Sequence, residues 1–379
     1  MKKTMLIVVT LCGIFLLISC SKKNELNYTV TEKEGIKTYR NKNIPADPTL
    51  TITPKELFTI QSADENNPDS RVFNKPFAFD VDSKRNIYIL DQMSLSVKKF
   101  DTKGNFIKSF GRSGNGPGEF RESYCLAILS DTVFVEDGAS MRMVKFDTDG
   151  NFIANQALIK STPNYLTPVG IDKFISNNSE VIQESDGVYL GSHLVIMNSK
   201  FETLNLYKST LQKVGTSEVN FLDMNSIFAV GEKEIYMAVN SENEYKIEVV
   251  DFNGKALYNI IKQYIKLKFN QNELANLNKE LKTSYGSHLK TESAYKKSIN
   301  QMYVDKNNRL WVISSQNREM LKDDNYYADI FQDGIFLNTI KLDMIKGDDF
   351  YNINKQLYFR GEYIYYLDVN NAELKVFEY

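Results

Sequence analysis

A short segment that recurs along the chain constrains its fold more than any other feature. Residues 86–91 (NIYILD) are rich in β-branched and aromatic side chains and end in Asp91, and Phe100 follows nine residues later. A turn over residues 101–106 comes next, with Gly104 where a hairpin requires a positive φ. The same layout returns at residues 132–152 and at residues 363–377. Each copy therefore predicts two antiparallel strands joined by a short polar link.

Weaker copies fill the space between these three. If the position of Asp101 serves as the marker, the copies fall at positions 101, 147, 198, 251, 332 and 378. Their spacing is 46 to 53 residues, except for 81 residues between the fourth and the fifth. A period of this size, made of several short strands, is typical of a β-propeller. Six markers predict an all-β fold, a six-bladed β-propeller over residues 50–379.

The long spacing contains a segment of another kind. Asn270 and Glu273 can form a capping box, and Leu274, Leu277 and Leu281 follow at helical spacing. We therefore expect residues 262–297 to be a helical insertion between blades 4 and 5. The insertion either packs on the propeller as a structural element or shapes one mouth of the ring. In the second case its Lys residues and Tyr285 or Tyr295 would contact a partner or a glycan.

The last copy leaves the sixth blade without an outer strand, because only Tyr379 follows the marker at position 378. An open ring would expose two strand edges, which proteins avoid. Residues 50–60 precede the first blade and have no other assignment. We therefore predict that this N-terminal strand pairs with the last blade and closes the ring.

The first blade carries a resemblance to a known family. Residues 76–82, the strand ending in Asp91, the turn at residues 100–104 and the glycine-rich segment 110–120 resemble an NHL-type repeat. Taken with the N-terminal segment described next, the chain is similar to six-bladed β-propeller lipoproteins of Gram-negative bacteria. The resemblance implies the fold and membrane anchoring, and it carries no catalytic residue onto this chain.

The first residues predict export and lipid attachment. Two lysines precede an apolar run over residues 5–18, which suits a signal peptide and is short for a membrane-spanning helix. An uncleaved anchor is the alternative. Residues 17–20 (LISC) resemble a bacterial lipobox, which implies cleavage before Cys20 and acylation of its thiol. We thus expect a signal peptide at 1–19 and a lipidated, flexible tether at 20–49. The protein would be exported and anchored, at the outer membrane on its periplasmic face or at the cell surface.

Charge and cysteine content restrict the remaining functions. Without Lys2 and Lys3 the chain has 44 basic and 48 acidic residues, so its net charge would be −4. A nucleic-acid partner is not expected, because such binding requires a basic face. Once Cys12 is removed and Cys20 is acylated, only Cys125 remains, so no intramolecular disulfide can form. The apolar neighbours of Cys125 favour a buried thiol over a nucleophile.

No segment predicts a catalytic or metal centre. The glycines of residues 111–118 lack the spacing of a phosphate loop, so we interpret the segment as a connector between blades. Residues 147–151 (DTDGN) begin like a calcium loop, but Leu158 occupies its twelfth position and a hairpin is the better interpretation. The chain has two histidines, His193 and His288, too few for a multi-histidine zinc site. An all-oxygen calcium site stays open.

These observations favour a lipid-anchored, non-catalytic binding or assembly module in the periplasm or at the outer membrane, without a cofactor. The alternative is a calcium-dependent hydrolase or lyase with its site in the central funnel. A third hypothesis is a glycan-binding partner of a saccharide-uptake system, in which the abundant Tyr and Phe residues would stack on sugars. The partner would then be a protein or a glycan in addition to the membrane.

Overall fold

The computed structural model describes residues 27–61, 73–159, 161–214, 219–285, 289–291, 293–315, 325–346 and 355–379. Six blades follow one another along the chain, as predicted for a six-bladed propeller; five are four-stranded antiparallel sheets, and the fourth belongs to a six-stranded sheet. Three strands precede them: β1 (Tyr28–Lys33), β2 (Ile36–Asn41) and β3 (Lys55–Gln61).

The strands of the first three blades and their connectors have these bounds. Blade 1 contains β4 (Pro76–Val81), β5 (Ile87–Asp91), β6 (Ser96–Phe100) and β7 (Phe106–Phe110). The short strands β8 (Arg112–Ser113) and β9 (Glu119–Phe120) lead to blade 2, which contains β10 (Leu126–Leu129), β11 (Thr132–Asp137), β12 (Arg142–Asp147) and β13 (Phe152–Ala157). A 3₁₀ turn at Gly138–Ser140 lies between β11 and β12. Blade 3 contains β14 (Thr162–Val169), β15 (Lys173–Glu184), β16 (Gly187–Asn198) and β17 (Thr203–Val214).

The second half of the ring is interrupted by two helices. After β18 (Val219–Asn220) and α1 (Phe221–Met224), blade 4 contains β19 (Phe228–Val230), β20 (Glu234–Ala238), β21 (Tyr245–Asp251) and β22 (Ala256–Lys262). The helix α2 (Gln271–Tyr285) and β23 (Leu289–Lys290) precede blade 5, which contains β24 (Ile299–Val304), β25 (Leu310–Ser314), β26 (Asn325–Gln332) and β27 (Ile335–Lys346). Blade 6 contains β28 (Lys355–Arg360), β29 (Tyr363–Asp368), β30 (Glu373–Glu378) and β3. Neither helix is long and apolar enough to cross a membrane.

The marker residues of the repeat shape the turn between the third and fourth strands of a blade. In blade 1, Oδ1 of Asp101 accepts hydrogen bonds from the backbone N–H groups of Lys103 and Asn105, each at 2.8 Å. Equivalent bonds are made in blades 2, 3 and 4 by Asp147, Asn198 and Asp251. The turn at residues 147–151 is thus a hairpin turn, as its glycine spacing predicts.

The glycine of this turn also lies against the preceding blade. Gly150 has a φ of +78°, and a Cβ atom there would stand 2.6 Å from the ring of Phe110 in blade 1. Lys99, also in blade 1, donates a 2.7 Å hydrogen bond to the carbonyl oxygen of Thr148 in the same turn. The repeated glycine therefore satisfies both a backbone conformation and a close packing contact.

The hydrophobic core is divided among the blade interfaces. Six clusters of buried side chains each combine residues from two neighbouring blades, and the last cluster of the circuit joins blade 6 to blade 1. Each sheet is buried on both faces, because each interior sheet face meets the next blade. The β-branched and aromatic runs at residues 86–91 and 363–368 follow from this burial.

The predicted closure of the ring is confirmed. β3 pairs antiparallel with β30, and Ile60 stands opposite Leu374. Ile60 is buried in the cluster between blades 6 and 1. The N-terminal strand is therefore the outer strand of blade 6, as the missing strand of the last repeat required.

The predicted flexible tether over residues 20–49 is wrong for the described residues 28–41. β1 and β2 form a hairpin, and β2 pairs in parallel with β22, so that the sheet of blade 4 has six strands. The amide of Asn41 then binds blade 5: Nδ2 donates to the carbonyl of Gly334 (2.9 Å), and Oδ1 accepts from the N–H of Phe336 (2.9 Å). Polar composition suggested a tether, but these residues satisfy their backbone bonds on the outer edge of the ring.

The predicted helical insertion is present between blades 4 and 5. Asn270 and Glu273 form the expected reciprocal capping box, with bonds of 2.9 and 2.8 Å. Leu277 and Leu281 are buried against Leu222 of α1. The insertion is therefore packed against the body, and it supports a second helix between blades 3 and 4.

Candidate functional site

A cavity of about 370 Å³ lies on the axis of the propeller. The first strand of every blade contributes to its wall, which places it at the centre of the ring: β4, β10, β14, β19, β24 and β28. Its volume is at the small end of the range for ligand pockets, roughly 300–1,000 Å³. The helix α1 and residue Lys297 lie at one end of the cavity.

Tyrosine side chains form much of the wall. Tyr165, Tyr303 and Tyr358 come from blades 3, 5 and 6. Burial raises the pKa of each phenol above its ordinary value. Tyr165 is enclosed by the protein, yet 41% of its surface is accessible because it borders the cavity. All three rings are thus neutral hydroxyl donors on an aromatic surface at physiological pH.

Asp80 is the one carboxylic acid among the lining residues, and its oxygens are occupied. It accepts hydrogen bonds from the N–H groups of Val81 (2.7 Å) and Ile128 (2.6 Å), and from the hydroxyl of Tyr358. Burial raises the pKa of Asp80, and these bonds and Arg360 oppose the rise. The side chain ties blade 1 to blades 2 and 6, so its role in the wall is structural.

Two amide side chains in the wall have a polar atom without a partner among the described residues. Asn300 is 7% exposed and accepts a 3.3 Å bond from Ser315 at Oδ1, whereas its Nδ2 is buried and unpaired. Asn240 donates from Nδ2 to the carbonyls of Leu222 and Asn225, whereas its Oδ1 is buried and unpaired. A buried polar group left without a hydrogen bond costs about 1–3 kcal/mol. The wall therefore holds one donor and one acceptor without a partner, each with less than 1 Å² of accessible surface, so a bound molecule would reach them only after the amide side chains turn toward the cavity.

An ion-pair network fixes the end of the cavity next to the insertion. Lys297 is 7% exposed, and its Nζ lies 2.6 Å from Oδ1 of Asp223 in α1 and 3.9 Å from Oε1 of Glu242. The Nζ atom of Lys296 lies 2.5 Å from Oε1 of Glu273, and Glu273 is in the first turn of α2. The insertion therefore acts on the cavity through α1, whose Leu222 both lines the cavity and packs on α2.

A buried carboxyl group that the sequence analysis did not single out stands beside this wall. Glu136 is 3% exposed, and Oε2 accepts a 3.2 Å bond from the N–H of Tyr124. Burial raises the pKa of Glu136 to about 7, and the negative charges of Glu122 and Asp137 contribute. The repeat gives no signal for this residue, because Glu136 occupies the strand position at which blade 1 has Leu90.

The residues considered from the sequence are dispersed. Cys125 borders the cavity with 2% of its surface exposed, and burial raises its thiol pKa well above the ordinary value, so the prediction of a buried thiol is confirmed. The glycine-rich segment connects blades 1 and 2 through β8 and β9, as predicted. Cys20 and His288 lie outside the described residues. Tyr295 of the insertion lies under Lys266, whose Nζ is 3.7 Å from the ring centroid.

His193 lies within β16. Its Nδ1 is 3.0 Å from Oγ of Ser209, and its Nε2 is 3.4 Å from Oε2 of Glu180. The three side chains share one face of three adjacent strands and none of them lines the axial cavity. This Ser–His–carboxylate contact is therefore not part of the axial site. Across the described ranges, no group of three or more His, Cys, Asp or Glu side chains could hold a metal ion.

A comparison with protein-family profiles agrees with the architecture. The profile of a family described as "DUF5128: 6-bladed beta-propeller" matches residues 80–328. No curated protein matches the sequence. Among solved structures, a Bacteroides fragilis protein described as exported has 13% identity over 90% of this chain and 98% of its own, with a TM-score of 0.48. A member of the DUF4221 family from Bacteroides vulgatus has 12% identity over 86% and 97%, with a TM-score of 0.48. Virginiamycin B lyase from Staphylococcus aureus has 11% identity over 86% and 100%, with a TM-score of 0.45.

Proposed function

The chain belongs to the DUF5128 family of six-bladed β-propellers, and on that premise we propose that it is a lipid-anchored, non-catalytic binding module. The ligand would occupy the axial cavity. The protein would be held at the outer membrane by an acylated Cys20, either in the periplasm or at the cell surface. Its partner would be a protein or a glycan.

The unpaired amide of Asn300 in the cavity wall is the observation that carries the binding role. Proteins leave few buried polar atoms without partners, and such atoms concentrate where a ligand or water completes them. The alternative, a calcium-dependent hydrolase or lyase, needs several oxygen ligands at one point. The lining residues supply one carboxylate, Asp80, and its oxygens already accept hydrogen bonds. The wall thus supports binding over calcium chemistry.

The proposed anchor follows from the sequence, and the hairpin changes its geometry. The first described strand begins at Tyr28, so seven residues separate it from Cys20. Even a fully extended chain over that stretch spans at most about 30 Å, which limits the distance between the hairpin and an acylated Cys20. Blade 4, to which the hairpin is attached, would therefore stand close to the lipid.

Filling the cavity tests the binding role. Thr167 borders the cavity, and Thr167→Trp would place an indole in it. Thr203→Trp, at an exposed position of the same blade, is the matched control. The purified protein would be used to capture partners from detergent-solubilised membranes. We expect wild type and Thr203→Trp to capture the same partner and Thr167→Trp to lose it. Equal capture by all three would overturn the proposal.

One measurement tests the lipid anchor, and a second tests the alternative function as a calcium-dependent enzyme. Cys20→Ala should abolish incorporation of labelled palmitate and release the protein into the soluble fraction. Retention of label by this variant would refute acylation at Cys20. Calcium should leave the melting temperature unchanged. A stoichiometric bound ion together with a calcium-dependent rise in that temperature would favour the calcium enzyme.

A further inference from the structure

The axial cavity provides no free charge for an ionic ligand. Apart from tyrosines and Cys125, Asp80 and Lys297 are the ionisable side chains among the described residues that line the cavity. Asp80 accepts bonds from two backbone N–H groups and Tyr358, and Lys297 pairs with Asp223 at 2.6 Å. A nucleotide, a uronic acid or a charged peptide would have to enter without compensation for its lost hydration, which is costly. The wall therefore favours an uncharged ligand.

Amide side chains provide most of the remaining polar groups. Five of them line the cavity, from blades 3, 4 and 5 and from the connector before blade 4: Asn164, Asn225, Asn240, Asn300 and Gln301. An amide offers a donor and an acceptor side by side. A hydroxyl group also donates and accepts, so neighbouring hydroxyls on a ring match an amide at both atoms. In Asn300 only the donor Nδ2 is unpaired, and in Asn240 only the acceptor Oδ1, so neighbouring hydroxyls would have to bridge the two amides.

Exposed aromatic rings complete the surface. Tyr165 keeps 41% of its surface accessible inside the cavity, and Tyr124 keeps 43%. The ring of Tyr124 is held edge-to-face against Phe77, with centroids 5.3 Å apart. A rigid aromatic face bears a partial negative charge and binds apolar C–H groups without loss of side-chain entropy. A ligand with a C–H face and a hydroxyl rim would use both kinds of group.

We propose that the axial cavity binds an uncharged carbohydrate, with a pyranose ring on Tyr165 and its hydroxyls on Asn300 and Asn240. This inference rests on the binding role proposed above and names the ligand class of that site. A peptide could also use amides, but extended peptides bind along a sheet edge through main-chain hydrogen bonds. A compact cavity of about 370 Å³ enclosed by six strands suits one or two sugar units better.

The test uses the mature protein without its lipid and an array of uncharged di- to tetrasaccharides. Sulfated and uronic-acid oligosaccharides and neutral tripeptides form the contrast arms. The uncharged sugar that binds is then titrated by calorimetry into the variants. We expect Asn300→Ala and Tyr165→Ala to weaken binding at least tenfold. Tyr165→Phe should retain most of the affinity, because the ring is kept, and Tyr189→Ala, outside the cavity, should bind like wild type.

Several results would overturn the carbohydrate assignment. They are binding confined to the charged sugars or the peptides, no binding to any sugar, and affinity that is unchanged in both Asn300→Ala and Tyr165→Ala. Thermal melting of each variant, compared with Tyr165→Phe, separates lost binding from lost folding. If no sugar binds while Thr167→Trp still abolishes partner capture, only the ligand class is wrong. If Thr167→Trp also captures normally, the binding role itself is wrong.

Discussion

The amide of Asn41 gives the sharpest test of how the N-terminal hairpin is attached. The residue is 4% exposed, and its amide bridges blades 4 and 5 through three hydrogen bonds: to the carbonyls of Gly334 (2.9 Å) and Ile261 (3.3 Å), and from the N–H of Phe336 (2.9 Å). Asn41→Ala would leave the carbonyl of Gly334 and the N–H of Phe336 without these partners. Each unpaired buried group costs about 1–3 kcal/mol, so for the two groups we expect a loss of roughly 2–6 kcal/mol in the free energy of unfolding.

The free energy of unfolding would be measured by urea titration of the protein that begins at residue 21. Trp311, the single tryptophan, is 1% exposed in blade 5 and packs against blade 6, so its fluorescence reports on unfolding of the ring. The control is Asn43→Ala, at an exposed position two residues away, which should change stability by less than about 0.5 kcal/mol. If Asn41→Ala is as stable as this control, residues 28–41 do not hold the blades together and the tether interpretation returns.

Three further changes test other parts of the ring. Asp329→Ala should lower the free energy of unfolding by about 3–5 kcal/mol, because it leaves the ammonium group of Lys262, now 3.0 Å from Oδ2 of Asp329, without its ion-pair partner. Denaturant unfolding measures this loss. Gly150→Ala should cost about 1–3 kcal/mol, because its Cβ would stand 2.6 Å from Phe110; calorimetry should show a lower melting temperature. Glu136 has a folded pKa of about 7 against an ordinary value of 4.5. Its ionisation opposes folding, so the free energy of unfolding should fall as pH rises between these values, and Glu136→Gln should flatten that slope.

Matched variants make these outcomes decisive. Thr339→Val removes a 2.7 Å bond to Asp329 but leaves the ion pair, so it should cost less than Asp329→Ala. Gly170 has a φ of +62°, and no atom lies within 4 Å of a Cβ added there. Gly170→Ala should therefore lower the free energy of unfolding only by the cost of the strained backbone conformation. Equal losses for Gly150→Ala and Gly170→Ala would contradict the packing argument. A pH profile unaltered by Glu136→Gln would contradict the assignment of the slope.

The blades could be predicted because their signals are local. Asp101 and Gly104 form one turn with their own neighbours, and Asn270 and Glu273 cap one helix, so short-range chemistry shows in the sequence. The hairpin at residues 28–41 has no such signal. Its strands lie at the outer edge of the ring with mostly exposed Thr, Lys and Glu side chains, which also compose linkers.

The cavity could not be predicted for a different reason. Asp80, Asn164, Asn240 and Asn300 come from blades 1, 3, 4 and 5, and only the strand register brings them to one axis. Each residue is ordinary within its own blade. Aromatic content did suggest sugar stacking, but it could not separate Tyr165 in the cavity from tyrosines in the core such as Tyr88.

Ring closure by β3 has a consequence for how the protein folds. β3 is synthesised before any blade, yet its partner β30 lies more than 300 residues later in the chain. Contacts between such distant segments are slow to form. Until β30 is available, β3 and the open side of blade 6 remain unpaired edges that can join other chains. Folding should therefore finish in one late step, and a nascent chain stalled before residue 373 should be prone to aggregation even though five blades are already made.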